Sequence, residues 1–178
     1  MAYRLGASDV IHIYDADRES CIVVLTDTVS VEAGDEQWAS IGSRDSVFED
    51  AAPHAVYMPP KLAAIVRAER DAEIGVASTP ARGLYPPRLI ESAQIAFDAR
   101  QERQYALCVR HPSANGNGRV AARGRDAHPG RTCVSYPPHK HDQDNVPIES
   151  SLEETYYHRL NPPQGFAFQR VYQRVYTD

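Results

Sequence analysis

Tyr136-Pro137-Pro138-His139-Lys140-His141-Asp142 is the stretch on which the reading of this chain turns. Two consecutive prolines favour an extended backbone where the histidines follow. Successive residues of a strand point to opposite faces, so His139 and His141 share a face about 6.6 Å apart. Side chains at that separation can converge on one ion. A polar loop from Asp142 to Ser150 leads to Leu152-Glu153-Glu154-Thr155-Tyr156-Tyr157-His158-Arg159-Leu160. This run predicts a strand over Leu152 to Leu160, a turn over Asn161 to Gly165, and a returning strand from Phe166 to Tyr176.

On the first of these strands Leu152, Glu154, Tyr156 and His158 share one face, and Glu153, Thr155, Tyr157 and Arg159 share the other. Leu152 and Tyr156 predict that the even face points inward. Glu154 is then the better metal ligand, and Glu153 lies at the surface. With His139 and His141 it forms a two-His, one-carboxylate set suited to Zn²⁺, Mn²⁺ or Fe²⁺. His158, about 13 Å from Glu154 along the strand, is too far to complete that site and is expected to face the core or a cleft. If the hairpin pairs symmetrically about Pro163, Arg170 lies opposite Tyr156 and faces inward, where a guanidinium can grip a substrate carboxylate with two parallel hydrogen bonds. The same arginine would serve equally as a cross-strand partner for Glu153 or Glu154. Gln-Arg-Val-Tyr occurs in tandem at 169–172 and 173–176, which loosens the register. On spacing alone, surface histidines on a polar loop remain an open alternative to a metal site. His12, His54, His111 and His128 have no local partner and are expected to be structural or exposed.

The remainder of the chain reads as short strands separated by turns. They are Ser20 to Leu25, Thr28 to Val31 with Asp27 at a bend, Asp45 to Phe48, His54 to Met58, Ile74 to Ala77, and Tyr105 to Arg110. Leu62 to Arg70 is ambiguous between helix and strand. Gly and Pro punctuation with little helical periodicity predicts an all-β sandwich or barrel. The glycines and arginines of 113–130 mark a composition shift, read as a linker between an N-terminal half, 1–112, and a partial second half, 131–178. That glycine-rich stretch lacks the Gly-Lys-Ser/Thr ending of a phosphate loop.

Composition bounds the partners. The 178 residues are 42 % hydrophobic and 24 % charged, with a net charge of −5. This balance argues against a general nucleic-acid binder, which would show a basic face. No apolar run approaches the roughly 20 residues needed to span a bilayer, and the N-terminal residues lack the apolar core of a signal peptide. Cys21, Cys108 and Cys133 have no Cys-x-x-Cys spacing and are read as buried free thiols of a reducing compartment. The expectation is a soluble cytoplasmic domain acting on a small molecule, with no nucleic-acid or membrane partner.

The residues from Ser135 to Asp142, from Glu149 to Arg159 and from Pro163 to Tyr172 resemble the 5-deoxy-glucuronate isomerase family of bacterial myo-inositol catabolism. Weaker agreement extends through Arg44-Asp45-Ser46-Val47-Phe48, Tyr57-Met58-Pro59-Pro60 and Tyr85-Pro86-Pro87-Arg88-Leu89-Ile90. The resemblance implies a bicupin, two β-barrel halves with a divalent metal in the second. It also implies interconversion of 5-deoxy-glucuronate and 2-deoxy-5-keto-gluconate. Carried over residue by residue, the ligands are His139, His141 and Glu154. A fourth, later histidine of the family has no counterpart up to residue 178, so the second barrel is expected to be truncated. Open strand edges would then favour homo-oligomers. Glu153 and His158 are candidate bases, and Arg170 and Tyr156 candidate substrate contacts. Two other readings are a non-catalytic cupin remnant and a metal-dependent cupin oxygenase, whose turnover would require air.

Overall fold

A computed structural model describes residues 1–49, 51–83 and 85–94, and beyond them residues 105–106, 109–111, 118–120, 123–124, 143, 145, 155, 157–161 and 163–166. Nine strands occupy the first ninety residues. They are β1 (Ala2–Leu5), β2 (Val10–Ile13), β3 (Arg18–Thr26), β4 (Val29–Ala33), β5 (Glu36–Ile41), β6 (Ala55–Met58), β7 (Ala64–Ala68), β8 (Ala72–Pro80) and β9 (Arg88–Ile90). A single 3₁₀ turn follows at Ser92–Gln94. The nine strands form two antiparallel sheets, ordered β1-β8-β3-β6-β9 and β2-β7-β4-β5.

Alternation along the strands builds the core between the sheets. Ile22 and Val24 of β3, Val56 and Met58 of β6, and Ile74 of β8 point from the larger sheet toward Val29, Val31 and Ala33 of β4 and Val66 of β7. The intervening residues of β4, Ser30 and Glu32, are outside the buried set, the two-residue period of a sheet with one wet face. Strand β3 differs, because Cys21, Val23 and Leu25 on its other face are also buried, in a second cluster with Ala55, Tyr57 and Ile90. A strand buried on both faces reads as an unbroken apolar run, as Cys21-Ile22-Val23-Val24-Leu25 does.

The predicted strands at Ser20–Leu25, Thr28–Val31, His54–Met58 and Ile74–Ala77 are all present, and Leu62–Arg70 resolves as the strand β7. Asp27 makes its bend with a positive φ of 58°. Asp45 to Phe48 is not a strand. The Ser46 hydroxyl accepts from the Phe48 N–H at 3.2 Å, the Glu49 carboxylate accepts from the Asp45 N–H at 3.0 Å, and the Glu49 N–H donates to the Ser46 carbonyl. Local side-chain bonds of this kind divert backbone groups from a ladder.

Beyond residue 94, the predicted strand Tyr105 to Arg110 coincides with β10 (Tyr105–Ala106) and most of β11 (Val109–His111) where it is described. The stretch read as a linker contributes β12 (Gly118–Val120) and β13 (Arg123–Gly124), which pair antiparallel with β11 and β10 respectively. Thr155 and Tyr157 to Leu160, inside the strand predicted over Leu152 to Leu160, belong to no strand. Asn161, Pro163 and Gln164 lie in the bend and turn expected there.

Candidate functional site

A β-bulge organises the described part of the site. Between β3 and β8 the register slips, Val24 opposing Ile74 while Thr26 opposes Glu73. A bulge bends its strand and re-aims the side chains beside it. The Glu73 N–H is satisfied by the Thr26 hydroxyl at 3.1 Å. Its side chain belongs to a residue only 7 % exposed.

A buried carboxylate is costly unless paired and hydrogen-bonded. Glu73 receives its partners from far along the chain. The Tyr157 hydroxyl donates to Oε1 at 2.9 Å and the Arg159 guanidinium to Oε2 at 2.8 Å. Arg4, the cross-strand neighbour on β1, approaches Oε1 at 3.5 Å. Burial, and then the hydrogen bond to Glu73, hold the Tyr157 phenol above its ordinary range.

Glu73 and Arg159 line one wall of a cleft of about 460 Å³, with Thr26, Asp45, Ser46, Phe48 and Leu160 around it. One guanidinium donor of Arg159 goes to Glu73, and that side chain is 39 % exposed. The cleft thus offers a guanidinium, the exposed Asp45 carboxylate and two hydroxyls beside a phenyl ring, a mixture able to hydrogen-bond a small polyhydroxylated acid.

Arg44, next in the chain to the cleft residue Asp45, is a buried cation. Arg44 Nε donates to the Leu25 carbonyl at 2.8 Å and one terminal nitrogen to the Ala51 carbonyl at 3.1 Å. These bonds satisfy carbonyls at the bulge and at the irregular 45–51 segment. Burial lowers the Arg44 pKa, and the nearby Glu49 opposes that shift.

Of the residues singled out by sequence, His139, His141, Glu153, Glu154, Tyr156 and Arg170 lie outside the described residues. His158 is described and exposed. It is therefore not in the core, one of the two places expected for it, while its neighbours Tyr157 and Arg159, exposed themselves, reach Glu73 of the first half with their side-chain tips. Glu73 was missed, since nothing local marks a carboxylate whose partners are 84 and 86 residues away. Among the described residues no three His, Cys, Asp or Glu side chains gather as a metal site.

Two facing antiparallel sheets with no α-helix among the described residues define a cupin-like all-β protein. The match to the KduI/IolB family covers residues 1–177, and the chain belongs to that family. It is 37 % identical over 175 residues to a 5-deoxy-glucuronate isomerase of Geobacillus kaustophilus, covering 96 % of this chain and 62 % of that protein. A 5-deoxy-glucuronate isomerase of Bacillus subtilis strain 168 is 38 % identical over 161 residues, 87 % of this chain and 58 % of its own. The chain therefore spans about three fifths of the length of these relatives. A crystal structure of an IolB-like protein from Salmonella typhimurium LT2 superposes with a TM-score of 0.55 at 34 % identity, over 59 % of this chain and 40 % of that one. No helix among the described residues is long and apolar enough to cross a membrane.

Proposed function

We propose that this chain carries the chemistry of an aldose–ketose isomerase of a sugar acid, interconverting 5-deoxy-glucuronate and 2-deoxy-5-keto-gluconate. The observation that carries this reading is the identity of 37–38 % to proteins named 5-deoxy-glucuronate isomerase, sustained over most of this chain. The cleft lends chemical support, because its guanidinium, carboxylate and hydroxyls suit a polyhydroxylated acid.

The reaction moves one proton between adjacent carbons through an enediolate, while the hydroxyl proton passes from one oxygen to the other. Two imidazoles and a carboxylate, His139, His141 and Glu154, are a donor set that fits a divalent cation such as Zn²⁺, Mn²⁺ or Fe²⁺. When bound, that ion supplies Lewis acidity, polarising the substrate carbonyl. Glu153 or His158 takes the proton from one carbon and returns it to the other, general base and then general acid. Arg170 and Tyr156 hold the substrate carboxylate and orient the reacting carbons. We assign the metal-ligand motif to a second half, 131–178, that follows the glycine- and arginine-rich stretch 113–130. The expected setting is the cytoplasm. Homo-oligomers are the expected assembly, and neither nucleic acid nor membrane is assigned as a partner.

Metal analysis of the purified chain tests this reading. About one divalent ion per chain is expected, lost in the His139→Ala, His141→Ala double variant together with chelator-sensitive isomerisation. Equal metal content in wild type and double variant would contradict the assigned ligands.

A further inference from the structure

Residues 157–160 run without a ladder partner, yet the groups assigned to chemistry lie on the chain immediately before them. Something other than a sheet must hold this segment in place. Glu73 is built for that. Its backbone is fixed in β8 between β1 and β3, and the bulge at Thr26 sets its direction. Its carboxylate is buried, and both oxygens are engaged by side chains two residues apart on the distant segment. Two residues is the spacing at which an extended chain presents side chains to the same side.

We propose that Glu73 is a positioning residue, clamping Tyr157 and Arg159 and thereby fixing the chain that carries Glu153 and Glu154. Its catalytic meaning rests on the isomerase reading above; the clamp itself does not. Charge-assisted bonds to a buried carboxylate are the stronger kind of hydrogen bond. Glu154 precedes Tyr157 by three residues in the sequence, so a chain fixed at Tyr157 and Arg159 carries it on a short tether. Arg4 plays a lesser part, since its side chain is 75 % exposed and its contact long.

Two readouts test the clamp. Trypsin must take the Arg159 side chain into its own pocket before cutting the Arg159–Leu160 bond, so clamping protects that bond. The Glu73→Gln variant is expected to be cut there about tenfold faster, as loss of charge-assisted bonds raises the open population. Its Zn²⁺ affinity, measured with the metal alone against a chromophoric chelator, is expected to fall about tenfold, the usual scale for losing a group that orients a ligand. The visible spectrum of Co²⁺ bound in place of zinc should shift as well, a change that loss of global stability alone would not produce. Arg4→Met should match wild type in all three measurements.

If Glu73→Gln does not fold, Arg159→Met and Tyr157→Phe carry the zinc and cobalt measurements. Zinc bound by wild type with unchanged affinity in every folded clamp variant would overturn the positioning role while leaving the isomerase reading intact. No zinc in wild type would overturn both the metal reading and the positioning role. Wild-type cutting at Arg159 in Glu73→Gln would overturn the clamp itself.

Discussion

Gly42 shows how much one residue can be constrained. Its φ of 142° lies where side chains are disfavoured, and a Cβ there would sit 1.9 Å from the Asp27 carbonyl oxygen. No side-chain rotation relieves a clash with backbone. Gly42→Ala should therefore destabilise the chain by about 2 kcal/mol or more, measured by denaturant unfolding. Arg44 is constrained by hydrogen bonding instead. Arg44→Met keeps the apolar stem but leaves the Leu25 and Ala51 carbonyls without their donor, at a cost of about 1–3 kcal/mol. His54 adds a pH dependence. Burial lowers its pKa below the ordinary 6.5, Glu91 opposing, and its buried Nδ1 has no hydrogen-bond partner among the described residues. The unfolded chain then takes up a proton more readily than the folded one. The contribution of His54 to stability is thus present above pH 6.5 and is lost as pH falls through the folded value. His54→Gln should flatten that acid limb in urea titrations across pH 5–7, and an unchanged limb would assign the effect elsewhere.

At the scale of elements, legibility followed burial. Strands β3, β6 and β8 could be read because the sheet at whose centre they lie buries continuous apolar residues, and Ile22, Val56 and Ile74 are fully enclosed. Strand β5 escaped because Glu36-Gln37-Trp38-Ala39-Ser40 is a largely exposed edge whose polar side chains carry no alternation. Asp45 to Phe48 looked like a strand, but its turn is made by hydrogen bonds accepted by the Ser46 and Glu49 side chains, which apolar patterning does not encode. In the 152–160 segment Tyr157 and Arg159 reach Glu73 although neither is buried, and that acid is invisible until β8 is placed. The same burial logic gives a stability prediction. Ile22→Ala should cost about 2–5 kcal/mol, because tightly packed neighbours from both sheets cannot collapse into the space. A loss below 1 kcal/mol in urea unfolding would show that the two sheets do not share one packed core.

Across the whole molecule, the first ninety residues form a sandwich whose larger sheet carries apolar clusters on both faces of β3, and distant chain meets it at Glu73 through Tyr157 and Arg159. The family could be read from the motifs around His139 and Glu154, and the match over residues 1–177 places the chain within it. The meeting of Arg159 with the cleft could not be read from sequence, since it depends on a contact spanning 86 residues. The most direct test of the central claim is conversion of 5-deoxy-glucuronate by the metal-loaded chain under strictly anaerobic conditions, followed by ¹³C NMR. The account predicts conversion of the aldehyde to the ketone without oxygen, abolished by His139→Ala. Full metal loading with no conversion, or conversion only in air, would contradict it.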